Sequence, residues 1–166
     1  PKRIVVVGAS AGGHLCAREA VFYKELKENV IRNLLKFQNA EVVEKYKKIS
    51  ARPDAVGLLY PVISFSSDYH EGSYLNNTNG NPQLQKKLSL EFQIQPEYPI
   101  TYAYANADDS CVPVSNTVRL NEALEKAGVI HLCEIYPSGD HGIGLGYNTS
   151  AKMWSENMLK FFDQYL

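Results

Sequence analysis

Two glycine-rich stretches, far apart in the sequence, carry reactive side chains. The first is Gly8-Ala9-Ser10-Ala11-Gly12-Gly13, and the second is Gly139-Asp140-His141-Gly142. A serine hydroxyl is a poor nucleophile until a base removes its proton, and histidine is the side chain that most often acts as that base. A carboxylate must then hold the correct tautomer of the imidazole. Ser10 and His141 are therefore candidates for a nucleophile and its base, provided that the fold brings them together with an acid.

Ser10 lies between a predicted strand and a predicted helix. The β-branched apolar run at residues 3–7 leads into Gly8, as a buried strand does when it enters a tight turn. After the turn, apolar residues recur every four positions, which predicts an amphipathic helix. These residues are Phe22, Leu26, Val30 and Leu34.

Three motifs compete for residues 8–13. A phosphate-binding P-loop requires Lys and then Ser or Thr after its last glycine, whereas this sequence has His14 and Leu15. A dinucleotide-binding fingerprint requires glycine where Ser10 stands. The third motif, G-x-S-x-G, fits the residues, and side chains at Gly8 or Gly12 are expected to collide with its sharp turn. On this pattern alone, a glycine-rich turn with an incidental serine remains open.

Strands and helices alternate along the rest of the sequence. Further buried strands are predicted at residues 55–62, 100–105 and 130–136, and helices near residues 84–90, over 117–127 and at the carboxyl end. The stretch 64–82 is rich in Ser, Asn, Gly and Tyr and predicts a long irregular loop. Alternation of this kind predicts an α/β fold, a parallel sheet with flanking helices, formed by residues 1–166 as a single domain.

Candidate acids and the candidate base follow predicted strands. Asp108 and Asp109 come just after the third strand, and His141 comes just after the fourth. Parallel sheets bind their ligands at the carboxyl ends of the strands, which is where these side chains and Ser10 are expected to meet. The chain order Ser, Asp, His is also the order expected for a nucleophile elbow in a parallel sheet.

Composition excludes several classes of function. Seventeen Lys and Arg against eighteen Asp and Glu give a net charge of -1, so no basic field for nucleic acid exists. The longest apolar runs are too short for a membrane span. The three cysteines form no C-x-x-C pair, which argues against a metal site and favours a reducing compartment such as the cytoplasm. No cofactor is expected, because acyl transfer by serine needs none.

The sequence resembles the α/β-hydrolase superfamily, in its esterase and lipase group, which includes acetylesterase-like and carbohydrate-esterase-like enzymes. The similarity covers nearly the whole chain and corresponds to the carboxyl-terminal part of those enzymes, from the nucleophile strand onward. The motifs that carry it are Val5-Val6-Val7-Gly8-Ala9-Ser10-Ala11-Gly12-Gly13-His14-Leu15, Arg52-Pro53-Asp54, Leu59-Tyr60-Pro61-Val62-Ile63-Ser64, Leu88-Ser89-Leu90-Glu91, Ala107-Asp108-Asp109-Ser110-Cys111-Val112-Pro113-Val114 and Gly139-Asp140-His141-Gly142-Ile143-Gly144.

The resemblance implies a serine hydrolase that cleaves carboxylic esters of small molecules, short-acyl or acetyl esters on carbohydrate among them. It assigns Ser10 as nucleophile, His141 as base and Asp109 as orienting acid, with Asp108 as the fallback acid and a turn or cap role as its simpler interpretation. The backbone N–H of Ala11 resembles an oxyanion-hole donor. His70 resembles a residue over the substrate pocket, with an ordinary surface histidine as the alternative.

The sequence also departs from that family's pattern. The family's His-Gly-Gly loop, which supplies further oxyanion donors, and several strands precede the nucleophile strand, and neither occurs in this sequence. The apolar edge at residues 4–7 would then be exposed. We therefore expect a domain that is incomplete at its amino end, with a separate amino-terminal segment or a homo-oligomeric partner covering the edge. A prolyl-peptidase-like serine peptidase and a non-catalytic module that binds a partner through this edge remain alternatives.

Overall fold

The computed structural model describes residues 3–37 and 39–166, which form a sheet flanked by helices. The strands are β1 (Val5–Ala9), β2 (Ala55–Leu59), β3 (Ile100–Asn106) and β4 (His131–Tyr136). The helices are α1 (Ala11–Phe37), α2 (Ala40–Lys47), α3 (Glu71–Thr78), α4 (Pro82–Leu88), α5 (Ser115–Ala127) and α6 (Trp154–Tyr165), and a short 3₁₀ turn covers Leu90–Phe92.

The four strands are parallel and lie in the order β1-β2-β3-β4. In register, Val5 pairs with Ala55, which in turn pairs with Ile100. The carboxyl ends of all four strands therefore lie at the same end of the sheet. The predicted parallel α/β fold is confirmed. Among the described residues β1 has a partner on one side only, so its other side is a sheet edge, and Ile4 and Val7 are 44% and 47% exposed there.

Each face of the sheet is covered by helices, because successive side chains of a strand point to opposite faces. On β2, Val56 and Leu58 pack against residues of α1 and α5, such as Ala17 and Leu120. On the opposite face, Ala55 and Leu59 belong to a second apolar cluster with residues of α6. The main residues that α6 contributes to that cluster are Trp154, Met158, Phe161 and Phe162.

Helix α1 is confirmed, but its buried face is not the one that the apolar spacing suggested. Its buried residues are Gly13, His14, Ala17 and Ala20, all in the first three turns. The backbone departs from helical geometry at Phe22, and beyond it Val30 is 53% exposed. The fully buried positions of α1 are therefore mostly small residues, while Val21 and Phe22 pack against the core only partly buried.

The expectation of an irregular loop over residues 64–82 is wrong, because helix α3 lies inside it. The imidazole of His70 caps its amino end by accepting a hydrogen bond from the backbone N–H of Ser73. Asn79 ends it in the left-handed conformation, with φ of 46°. Ser and Asn are weak helix formers in the interior, and their abundance concealed a helix that its two caps and its packing stabilise.

Candidate active site

The turn that presents Ser10 is strained and tightly held. Ser10 has φ of 56°, in the left-handed region that residues other than glycine seldom occupy. Its N–H donates to the carbonyl of Leu59 at 2.9 Å, and its carbonyl accepts from the N–H of Val62 at 3.1 Å. Because these bonds come from the last residue of β2 and from the segment after it, the turn keeps a conformation that its own sequence would not favour.

Two glycines allow this turn, and only one of them, Gly8, is among the two that the motif suggested. A Cβ at Gly8 would lie 2.2 Å from the carbonyl oxygen of Gly12, which confirms the expected collision there. A Cβ at Gly12 would meet nothing within 4 Å, so the expected collision at that position is wrong. At Gly13, by contrast, a Cβ would lie 2.8 Å from the Cβ of Pro61. The steric requirement is therefore at Gly8 and at Gly13, where helix α1 crosses the segment after β2.

The structure brings Ser10, His141 and Asp109 into one hydrogen-bonded chain. The Nε2 atom of His141 lies 2.8 Å from the Oγ atom of Ser10, and its Nδ1 atom lies 2.8 Å from Oδ2 of Asp109. The Asp109 side chain is fully buried, while that of His141 is 18% exposed. A hydroxyl, an imidazole and a buried carboxylate in this order are the arrangement that nucleophilic acyl transfer requires.

Asp109 is oriented by its own turn. Its Oδ1 atom accepts hydrogen bonds from the backbone N–H groups of Cys111 and Val112, at 2.9 and 2.8 Å. Oδ2 is thereby directed at His141, and a carboxylate there accepts a hydrogen bond from Nδ1–H. This leaves the lone pair of Nε2 facing the hydroxyl of Ser10, as a general base needs.

Helix α1 begins directly after Ser10, so its amino end faces the same site. The N–H of Ala11 is one of the first donors of this helix, and no acceptor among the described residues bonds to it. The first turn of α1 carries no acidic side chain that would offset the positive end of the helix dipole. The position of the Ala11 N–H suits a developing negative charge, but its role in an oxyanion hole stays a prediction.

Tyr60 is a residue of this site to which sequence reasoning gave no role. It follows β2, has φ of 39° and is 7% exposed. Its ring packs edge-on against the imidazole of His141, with ring centroids 4.7 Å apart. Burial raises the pKa of its hydroxyl, and the charge of Asp109 adds to that effect, so the phenol remains neutral. A tyrosine at the carboxyl end of a buried strand was the signal available in the sequence.

The other candidate residues are not part of the hydrogen-bonded chain of Ser10, His141 and Asp109. Asp108 accepts hydrogen bonds from the backbone N–H groups of Gly139 and Asp140, so it has the turn-capping position that was its simpler interpretation. The imidazole of His70 caps α3 and bonds to the hydroxyl of Ser73, and its role in substrate binding stays a prediction.

Within residues 3–37 and 39–166, no group of three or more His, Cys, Asp or Glu side chains is arranged to hold a metal ion. Over the same residues, no helix combines the length and the apolar character that crossing a bilayer requires.

Comparison with known proteins shows the family of this chain. Residues 55–166, more than half of the chain, match the model of the prolyl oligopeptidase family, Peptidase_S9. The chain belongs to the prolyl oligopeptidase family. The matched segment includes Asp109 and His141, while Ser10 lies before it. This result confirms the resemblance of the sequence to the α/β-hydrolases.

Relatives of this chain include proteins named as a xylanase, an acetylxylan esterase and an acetyl ester-xyloside hydrolase. Endo-1,4-beta-xylanase B of Butyrivibrio fibrisolvens is 31% identical over 156 residues, 93% of this chain and 22% of its own. Acetylxylan esterase of Xylanibacter ruminicola is 29% identical over 154 residues, 88% of this chain and 27% of its own. The crystal structure of an acetyl ester-xyloside bifunctional hydrolase from Caldicellulosiruptor lactoaceticus superimposes with a TM-score of 0.82, at 35% identity over 98% of this chain and 56% of that one.

The chain thus spans less than a third of the curated relatives that it matches and about half of the solved structure. Carboxylesterases from Lactobacillus plantarum share the fold at lower identity, with a TM-score of 0.64 for one of them. The parallel sheet with flanking helices is therefore the architecture of the α/β-hydrolases.

Proposed function

We propose that the protein is a serine hydrolase that cleaves carboxylic esters by acyl transfer. The observation that supports this most strongly is the continuous chain Ser10 Oγ, His141 Nε2, His141 Nδ1 and Asp109 Oδ2, with both links at 2.8 Å. Relatives named as an acetylxylan esterase and as an acetyl ester-xyloside bifunctional hydrolase favour esters among the substrates of such a site.

In the first half of the reaction, Ser10 Oγ attacks the carbonyl carbon of the ester while its proton passes to Nε2 of His141. The buried carboxylate of Asp109 stabilises the imidazolium that forms. Negative charge develops on the carbonyl oxygen, and the Ala11 N–H at the positive end of α1 is the donor that we assign to it. The tetrahedral intermediate collapses when the imidazolium returns its proton to the leaving alcohol, and an acyl-serine remains.

In the second half, a water molecule takes the place of the alcohol. His141 removes a proton from it, the hydroxide attacks the acyl-serine, and the returning proton releases Ser10 together with a carboxylic acid. Every proton moves through one imidazole, so the partly exposed position of its ring is suitable for exchange with alcohol and water. No step changes an oxidation state, so the reaction requires no redox group.

The substrate class that we propose is an acetyl or other short-acyl ester on a carbohydrate, of the kind that decorates xylan. Its support is the agreement among relatives: a xylanase, an acetylxylan esterase and an acetyl ester-xyloside hydrolase each match most of this chain.

A prolyl-peptidase-like activity is the second candidate, because the matching family is the prolyl oligopeptidase family. The same three side chains would serve, since amide and ester cleavage by serine share the acyl-enzyme. The two activities differ in the leaving group, which is an amine in a peptidase and an alcohol in an esterase.

Kinetics of the natural protein at its full length separate these candidates. We expect hydrolysis of p-nitrophenyl acetate and release of acetate from acetylated xylo-oligosaccharides, and Ser10→Ala is expected to lower kcat at least about 10³-fold. Ser50→Ala, an exposed serine before β2, is the matched control and should retain activity. Cleavage of proline nitroanilides and not of esters would show that the protein is a peptidase. Absence of both activities would favour a non-catalytic module that binds a partner.

A further inference from the structure

His141 has to reach across the sheet to meet Ser10. Ser10 follows β1 and His141 follows β4, which are at opposite ends of the strand order. Three strand spacings of about 4.8 Å separate them, roughly 14 Å in all. The segment that carries His141 has no helix or strand of its own, so something else must hold it in place.

We call residues 106–111 the acid loop and residues 138–142 the base loop. Each loop carries an aspartate whose carboxylate accepts hydrogen bonds from the other loop. Oδ1 of Asp108 accepts the N–H groups of Gly139 and Asp140, each at 2.9 Å. In return, Oδ1 of Asp140 accepts the N–H of Ser110 at 3.0 Å and its hydroxyl at 2.8 Å. Each loop therefore caps the other, and neither arrangement involves the bond between Asp109 and His141.

Asp140 is bound at every polar group that it has. Besides its N–H and its carboxylate, its carbonyl accepts a hydrogen bond from Nδ2 of Asn106 at 2.7 Å. That carbonyl belongs to the peptide group that joins Asp140 to His141, so the orientation of this peptide plane is fixed just before the imidazole. The hydrogen bond from the backbone N–H of Ser110 lowers the pKa of Asp140, which keeps its carboxylate charged.

The close approach of the two loops is accompanied by one unusual backbone conformation and one tight steric contact. Asp140 has φ of 54°, in the left-handed region that Asp tolerates better than most residues. At Gly139, a Cβ would lie 2.7 Å from Nδ2 of Asn106, so a larger residue would separate the loops. Strain of this kind persists only where the surroundings fix it.

We infer that Asp108 and Asp140 are positioning residues that hold His141 within reach of Ser10. This inference rests on the proposed function. Asp108 touches neither the nucleophile nor the imidazole, and its carboxylate acts through the backbone of the base loop. A displacement of about 1 Å in such a site costs roughly 100-fold in rate.

The test compares Asp108→Ala with Asp108→Asn in the natural protein at its full length. An asparagine oxygen at the Oδ1 position keeps both backbone bonds, so Asp108→Asn should retain kcat within about threefold, whereas Asp108→Ala should lose about 10- to 100-fold in kcat with little change in KM. The rate of fluorophosphonate labelling of Ser10 should fall in parallel.

Asp54→Ala is the matched control for stability. Oδ2 of Asp54 also accepts two backbone N–H groups, those of Arg3 and Ile4, at 2.8 and 2.7 Å, but before β2 and hence at the opposite end of the sheet. It should lower the melting temperature as Asp108→Ala does, while leaving kcat unchanged at a temperature where both variants are folded. If Asp108→Ala lowers the melting temperature only, with kcat and labelling unchanged, the inference is wrong.

A readout that needs no turnover separates this inference from the proposed function. The proton between His141 Nδ1 and Asp109 should give a far-downfield ¹H NMR signal in the wild type, in Asp108→Asn and in Asp54→Ala, and this signal should be lost in Asp108→Ala. If this pattern of signals is found but the protein has no esterase activity, the proposed function is wrong and the positioning role is retained. A signal that persists unchanged in Asp108→Ala overturns the positioning role, whatever the activity.

Discussion

His141 Nε2 lies 2.8 Å from Ser10 Oγ, although 131 positions separate the two residues in the sequence. The sheet explains how they meet. The base loop passes from β4 over the ends of β3 and β2, where it contacts Asp109 and the ring of Tyr60 in turn, before it reaches the residue after β1. Each strand of the sheet therefore supplies one residue to the site.

Replacement of Asp109 by Asn should abolish most of the activity without unfolding the protein. An amide in its place can still accept the hydrogen bonds from Cys111 and Val112 through its oxygen, but it offers an N–H to Nδ1 of His141. The imidazole would then carry its proton on Nε2, where it cannot accept one from Ser10. We expect kcat for p-nitrophenyl acetate to fall about 10³- to 10⁴-fold, with circular dichroism unchanged. Equal activity in the variant would contradict the assigned acid.

Alanine at Gly8 and at Gly12 should have opposite effects on stability. A Cβ at Gly8 would lie 2.2 Å from a backbone oxygen, and we expect Gly8→Ala to lower the free energy of unfolding by about 1–3 kcal/mol or more. Gly12 lies in α1 with open space around its Cβ position, so Gly12→Ala should be neutral or stabilise by up to about 1 kcal/mol. Denaturant titration of both variants measures this, and a larger loss at Gly12 would show that the steric account is mistaken.

Stability should fall with acid through His14. Burial lowers the pKa of this imidazole from 6.5 to about 4, so the folded state keeps it neutral while the unfolded state takes up a proton. The resulting stabilisation is complete above pH 6.5 and is lost as the pH falls towards 4, by about 3 kcal/mol in total. The backbone carbonyl of Val62 lies 3.3 Å from Nδ1. In His14→Gln, the slope of unfolding free energy against pH should be smaller by one proton over this interval; an identical slope would exclude His14 as the titrating group.

Sequence reasoning selected the three side chains that the structure brings together because chemistry limits the choice. A nucleophile of this type needs a base and an acid at the ends of later strands, and the glycine-rich turns marked where Ser10 and His141 lie. The choice of Asp109 over Asp108 came from the family resemblance. Asp108 and Asp109 carry the same side chain at adjacent positions, so the sequence does not distinguish them. The conformation of the turn after β3 determines that Asp109 faces the imidazole and that Asp108 bonds to the base loop.

Features that depend on close packing were beyond the sequence pattern. The four-residue apolar spacing in α1 indicated a helix but not the face that packs, because Ala17 and Ala20 contribute contact through their small size. Helix α3 was missed because its stability depends on the caps from His70 and Asn79 rather than on apolar periodicity. Tyr60 was missed because edge-on contact with an imidazole leaves no spacing signal.

The most direct measurement of the central claim is the site of covalent labelling by a fluorophosphonate, located by peptide mass spectrometry in the natural protein at its full length. The proposal predicts one adduct per chain, on Ser10, which disappears in Ser10→Ala and persists in Ser50→Ala. It also predicts that the labelling rate of Asp109→Asn falls together with its kcat. Labelling at another serine, or equal labelling of the wild type and Ser10→Ala, would contradict the claim that His141 and Asp109 activate Ser10.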